Sequence, residues 1–227
     1  MAEPSSSSFK TTPQTQVLVV DDHPMFRAGI VGLINNELDL NVCAEAHDAA
    51  QALEAIARCK PDLVLADIGL PDKNGLELVR DIQALAPEMP VLVISMNNEE
   101  LYAERVLRAG GMGYIMKSEG PVKILEAVRR VLSGKVSVSD ATSTAILAGM
   151  TGSRSGEGDA RLAKLTDREF EVLTLLSRGL DANQIAAKLD VSLKTVDTHR
   201  MHIRAKLSLK SNTELIHFAA RWSGGQV

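Results

Sequence analysis

Five times between Gln16 and Gly134 a short apolar run gives way to a segment with helical spacing. The runs are "VLVV", "NVCAEA", "DLVLAD", "PVLVIS" and "GYIM". After the first, Pro24 opens a helix in which Phe26, Ile30, Leu33 and Ile34 share a face. After the second comes "AAQALEAIARC". After the third, Leu76, Val79, Ile82 and Leu85 fall on one side of a helix that follows Gly75. Glu99–Arg108 and Pro121–Leu132 complete the series. Strands joined by helical crossovers run parallel and are covered on both faces, so the pattern predicts an α/β, flavodoxin-like (βα)5 domain with strand order 2-1-3-4-5.

The residues that end these strands carry the chemistry. In such a sheet, ligands gather beyond the carboxyl ends of the strands. Asp21 and Asp22 follow the first strand, and Asp67 follows the third, its spatial neighbour. Uncompensated, three converging carboxylates repel and raise one another's pKa. Mg2+ removes that repulsion, because it takes oxygen ligands from a few carboxylates plus water. Ser95 ends strand four and Lys117 ends strand five, bringing a hydroxyl and an ammonium to the same rim. A metal, a hydroxyl and an ammonium can each take one oxygen of a phosphoryl group, so Asp67 reads as a carboxylate nucleophile that accepts phosphate. The strand delivers it rigidly, and the loop with Pro71 and Gly75 turns the chain away and leaves it open to a donor. Any one strand-end Asp more often merely caps a turn or helix. Five suitable groups at the correct strand ends are far harder to obtain by chance.

Beyond Gly134 the alternation stops. "ATSTAILAGM" fits one helix, and "TGSRSGEGDA" has no apolar period and reads as a flexible linker. From Leu165 the pattern is all helical. Thr166 with Glu169 makes a capping box for a helix ending at Gly179. "NQIAAKLD" is a short helix, "VSLKTVDTHRMHIRAKL" a third capped by Ser192, and "SNTELIHFAARW" a fourth. Short helix, tight turn and capped helix form a helix-turn-helix. With Val196 at the centre of the buried face, Ile203 and Leu207 join it. Thr198, Met201 and Ala205 then point the opposite way, flanked by Asp197 and His202. Lys194 and Thr195 start this helix, where N–H groups can meet phosphate, and Arg200, Arg204 and Lys206 supply positive flanks. Charge follows the same division. Residues 1–160 hold 14 Lys and Arg against 22 Asp and Glu, a net −8, and residues 161–227 hold 11 against 7, a net +4. The domain boundaries are therefore set at a disordered leader 1–15, an α/β domain 16–135, a linker 136–160 and an all-α four-helix domain 161–227.

Both halves resemble known families. "VDDHP", "ADIGLPDKNG", "ISM" and "GYIMKS" occur in order, as in the receiver domain of two-component response regulators. The resemblance implies phosphorylation of Asp67 by a sensor histidine kinase. It assigns Mg2+ to Asp22, Asp67 and the carbonyl of Gly69 with Asp21 in support, a switch role to Ser95 and Tyr114, and the phosphoryl counter-ion to Lys117. "LTDREFEVLTLLSRGLDANQIAAKLDVSLKTVDTHRMHIRAKL" is similar to the DNA-binding domain of the NarL/FixJ (LuxR-type) family. That implies double-stranded DNA as partner, with major-groove readout by Asp197, Thr198 and Met201. Phosphate contacts would come from Lys194, Thr195, His199, Arg200 and Lys206, and the last helix would form a homodimer. Asp197 and Met201 stand where some relatives carry lysines, and an aspartate can accept from cytosine N4.

The expected protein is thus a cytoplasmic transcription regulator rather than an enzyme, beyond a slow autodephosphorylation. No run approaches a membrane span and the polar start is not a secretory signal. Cys43 and Cys59 read as reduced thiols. His23, His47, His199, His202 and His217 are scattered and make no zinc set. Two other readings compete with this one. A nucleotide-binding or phosphatase-like enzyme would use the glycines at 110, 111 and 113, but these lack a dinucleotide or phosphate-loop fingerprint. A protein adaptor would leave the basic helices without DNA. Aromatic residues at 3% argue against base stacking on single strands.

Overall fold

The computed structural model describes residues 14–150, 161–162 and 164–224. Most of the expected leader, and residues 151–160 of the expected linker, lie outside them. Strands β1 (Thr15–Val20), β2 (Leu40–Ala46), β3 (Leu63–Ala66), β4 (Val91–Ser95) and β5 (Gly113–Met116) form one parallel sheet in the order β2-β1-β3-β4-β5. Between and after them run α1 (Pro24–Asn35), α2 (Ala49–Cys59), α3 (Gly75–Leu85), α4 (Glu99–Arg108) and α5 (Pro121–Leu132).

Alternation along the strands sorts the core into two layers. Val17, Val19, Leu63, Leu65, Leu92 and Ile94 face α1 and α5, meeting Ile30, Ile34, Ile124 and Val128. Leu18, Val20, Val64, Ala66, Val91 and Val93 face the other way, toward α2, α3 and α4. Both faces are covered, which is why the strands read as nearly unbroken apolar runs. Local signals set the helix starts. Pro24 and Pro121 occupy first turns, and Asp48, Asn74 and Asn98 cap α2, α3 and α4 through their side chains.

Helix α6 (Asp140–Met150) covers the whole of "ATSTAILAGM" and packs near α4. The C-terminal helices are α7 (Asp167–Ser177), α8 (Ala182–Lys188), α9 (Leu193–Leu207) and α10 (Asn212–Gly224). Capping boxes at Thr166–Glu169 and Asp181–Gln184 open α7 and α8, and Ser192 caps α9. Gly179, with φ of 82°, turns the chain after α7.

These helices pack on the receiver-like sheet domain. The core layer under α2–α4 continues into Phe170, Leu173, Val196 and Leu215. Tyr102 of α4 is fully buried, and its ring meets Phe170 of α7 edge-on, centroids 5.2 Å apart; Phe170 in turn meets Trp222 of α10 at 5.5 Å. The Arg105 guanidinium lies 3.9 Å from the Phe170 centroid and donates to the carbonyls of Leu162 and Leu165 and to Asp167. Arg80 closes on the other oxygen of Asp167 at 2.5 Å.

Candidate functional site

The acidic pocket forms where β1 and β3 end side by side. Val20 pairs with Ala66, so the next residues on both strands, Asp21 and Asp67, emerge together. Both are buried, as are Ser95 at the end of β4 and Lys117 just beyond β5. Lys117 Nζ lies 2.6 Å from Asp21 Oδ2 and 2.6 Å from Asp67 Oδ2, with its ammonium 4.6 Å from the Phe26 ring centroid. The other oxygen of Asp67 accepts from the Ile68 N–H at 2.6 Å. Asp21 accepts from the His23 N–H. Burial pushes the Asp21 carboxyl above its ordinary range, and the neighbouring Asp67 charge adds to this; the hydrogen bond from Lys117 pulls the other way.

The pocket suits a hard divalent cation. Ligand atoms of Asp21, Asp22, His23 and Asp67 all lie within 4.8 Å of one another. Asp21 Oδ2 and Asp22 Oδ1 are buried, each with a single nitrogen neighbour, Lys117 Nζ for the first and His23 Nδ1 for the second. Gly69 lies beside the pocket, where an added Cβ would sit 3.9 Å from Asp67 Oδ2 and meet nothing else. Carboxylate oxygens with lone pairs to spare fit Mg2+.

Three features of the pocket were not visible in the sequence. His23, read there as one of several scattered histidines, has Nδ1 2.5 Å from Asp22 and 3.4 Å from Asp21. Asn74 caps α3 by accepting from the Leu76 N–H, and its Nδ2 donates to Glu171 of α7 at 2.9 Å. Asn97 joins three groups. Its N–H donates to Ser95 Oγ at 3.3 Å, its carbonyl accepts from the Tyr114 hydroxyl at 2.8 Å, and its side chain accepts from Arg178 at 3.2 Å. The partners of Asn74 and Asn97 are 97 and 81 residues away, so only the packing of α7 reveals them. Tyr114 is buried, and that burial raises its phenol pKa.

The candidate nucleic-acid face follows the expected helical geometry. Val196, Ile203 and Leu207 are buried, while Lys194, Asp197, Thr198 and Met201 are exposed. Thr195, His199, Arg200 and Lys206 are half-buried. Several of these groups have partners within the protein. Arg200 pairs with Asp197 at 3.3 Å, Thr195 Oγ1 lies 2.8 Å from Ser192 Oγ, and Lys206 pairs with Glu169 at 2.7 Å. Burial, with the nearby Arg168 charge, lowers the His199 pKa.

Comparison with known proteins agrees with this architecture. Residues 17–129 match the response regulator receiver domain, and residues 163–219 match the bacterial regulatory proteins of the luxR family. The chain is 36% identical to the transcriptional activator protein ExaE of Pseudomonas putida over 203 residues, 89% of this chain and 94% of that one. It is 35% identical to the oxygen regulatory protein NreC of Staphylococcus aureus, over 91% of this chain and 97% of that one. The crystal structure of the response regulator ChrA, from a heme-sensing two-component system, superposes with a TM-score of 0.51 at 31% identity, covering 93% of this chain and 99% of that one. The chain belongs to the two-component response regulators with a LuxR-type helix-turn-helix domain, which control transcription.

Proposed function

We propose that Asp67 accepts a phosphoryl group from a sensor histidine kinase, and that this modification switches the C-terminal domain to bind double-stranded DNA as a homodimer. One observation carries the reading: a buried lysine bridges two buried carboxylates, with Ser95 at the adjoining strand end. A transferred phosphoryl group would find Lys117 as counter-ion and the Ser95 hydroxyl as donor. Mg2+, held by Asp21, Asp22, Asp67 and the Gly69 carbonyl, would neutralise charge on the transferring group. The protein's own groups do the rest. The Ile68 N–H orients the carboxylate, and the end of β3 holds it in place for a donor to reach.

The switch would run through Asn97. If Ser95 Oγ turns to a phosphoryl oxygen, the Asn97 N–H loses its acceptor, and the Tyr114 and Arg178 contacts to the same residue must adjust. Asn74 offers a second route, because it closes the loop after Asp67 through the Gly69–Asn74 bridge and holds Glu171. Phosphorylation thus biases how α7 sits on the receiver. DNA contact would come from Lys194, Thr195, Asp197, Thr198, His199, Arg200, Met201 and Lys206. Lys206 would have to leave Glu169 to do so. The domain division at 16–135, 136–160 and 161–227, and a cytoplasmic location, belong to the same proposal. Among the described residues no helix is long and apolar enough to cross a membrane.

The test is labelling by a small acyl phosphate with Mg2+, read on a phosphate-affinity gel. Wild type should shift and Asp67→Asn should not. Undiminished labelling of the variant would reject the assignment.

A further inference from the structure

Cys43 and Cys59 are the only two cysteines of the chain, and the fold puts them together. Strand β2 pairs with β1 as Val17–Val42 and then Leu18–Ala44, so the register passes over Cys43. Such an extra residue is left out of the ladder, and its side chain is re-aimed. Helix α2 ends on Cys59, whose Sγ lies 3.7 Å from the carbonyl oxygen of Cys43. The Cys43 thiol is pushed up to about 11, first by burial and then by the adjacent Cys59 thiol. The two cysteines therefore adjoin across the β2–α2 contact. Both residues are only half-buried, so a small oxidant can reach them.

We propose that Cys43 and Cys59 form a reversible dithiol–disulfide site, oxidised by hydroperoxides. In the first step the Cys59 sulfur attacks the peroxide oxygen; the O–O bond breaks, an alcohol or water leaves, and Cys59 becomes a sulfenic acid. In the second step the Cys43 sulfur attacks that sulfur, the S–O bond breaks, and water leaves with the Cys43 proton. Two thiols and one hydroperoxide give one disulfide, one alcohol or water, and one further water. Cys43, whose thiol burial keeps protonated, enters only the second, intramolecular step, where its closeness to Cys59 offsets its low thiolate fraction. A dithiol reductant reverses the bond.

The position has a structural consequence. The first turn of α2 holds the loop that follows Asp67, because Asp72 accepts from the N–H groups of Ala49 at 2.9 Å and Ala50 at 3.1 Å. A bond at the other end of α2 would tie this helix to the edge strand and restrain the support of that loop.

Full-length wild-type protein is treated with millimolar hydrogen peroxide, and thiols are titrated after denaturation. The expected result is loss of both thiols in a monomer two hydrogens lighter, with a peptide joining Cys43 to Cys59, all restored by dithiothreitol. Cys43→Ser and Cys59→Ser should each lose the cross-linked peptide. Persistence of both thiols would overturn the proposal. So would sulfinic acid on one cysteine beside a free thiol on the other, or a disulfide formed only between two chains.

Discussion

Glu169 shows how one side chain can carry two structural duties. It accepts from the Thr166 N–H at 2.8 Å, closing the capping box of α7, and from Lys206 at 2.7 Å, tying α7 to α9. Burial raises its pKa, but the Lys206 and Thr166 hydrogen bonds outweigh this and leave it below its ordinary value of 4.5. A carboxylate held low in this way contributes stability above its unfolded value, and that contribution is lost as pH falls through the lowered folded value. Glu169→Gln should therefore cost about 1–2 kcal/mol at pH 7, and the difference from wild type should shrink in acid below 4.5. Urea denaturation of both proteins at the two pH values checks it. Gly69 is a second telling residue. Gly69 places no side chain beside Asp67 to orient a hydrolytic water, although the position has room for one; Asn97, which could partly substitute, has its side-chain oxygen engaged by Arg178. Gly69→Asn is expected to speed loss of the aspartyl phosphate by about tenfold, the equivalent of about 1.4 kcal/mol in the transition state. Equal or slower decay, with phosphorylation intact, would show that water positioning there does not limit the lifetime. Gly75 has no such freedom. A Cβ there would lie 2.1 Å from the Asp67 carbonyl oxygen, so Gly75→Ala should displace the start of α3 and lower the melting temperature by several degrees.

Among the elements, α7 makes the most consequential contacts. Its first turn is gripped by Arg80 and Arg105 through Asp167, its middle by Asn74 and Tyr102, and its C-terminal cap by Asn97. Arg105→Ala removes three hydrogen bonds and the Phe170 ring contact, and it leaves Asp167 buried with Arg80 alone. Hydrogen exchange should then quicken at least about tenfold in the first turn of α7 while the sheet keeps its protection. Unchanged exchange there would mean that the interface is held elsewhere. The acidic pocket was legible in the sequence because βα alternation fixes which strand ends meet. Asp21, Asp22, Asp67, Ser95 and Lys117 could be assembled from order alone. The exposed and buried faces of α9 were legible for a similar reason, since one helical period assigns Val196, Ile203 and Leu207 to the inside. The α7 contacts were not legible, because no local pattern links Asn74 to Glu171 or Asn97 to Arg178. His23 was missed on different grounds. Its neighbours Asp21 and Asp22 are plain in the sequence, but the turn that brings its ring against them depends on backbone geometry.

At the scale of the molecule, an acidic receiver half and a basic helical half share one continuous apolar layer. The charge division suits two different partners, and the shared layer gives a path by which one can influence the other. Exposed Lys194, Thr198 and Met201 leave the face of α9 open while α7 rests on the receiver. The proposed control therefore acts on where the C-terminal domain is held and paired, rather than on covering this face. The most direct measurement compares DNA binding by full-length wild type and Asp67→Asn, each with and without acyl phosphate and Mg2+, on fragments selected from the organism's own genome. Wild type should bind more tightly after phosphorylation, with affinity falling steeply as salt rises, and Asp67→Asn should show no gain. An equal gain in the variant, or none in a wild-type protein shown to be phosphorylated, would contradict the account.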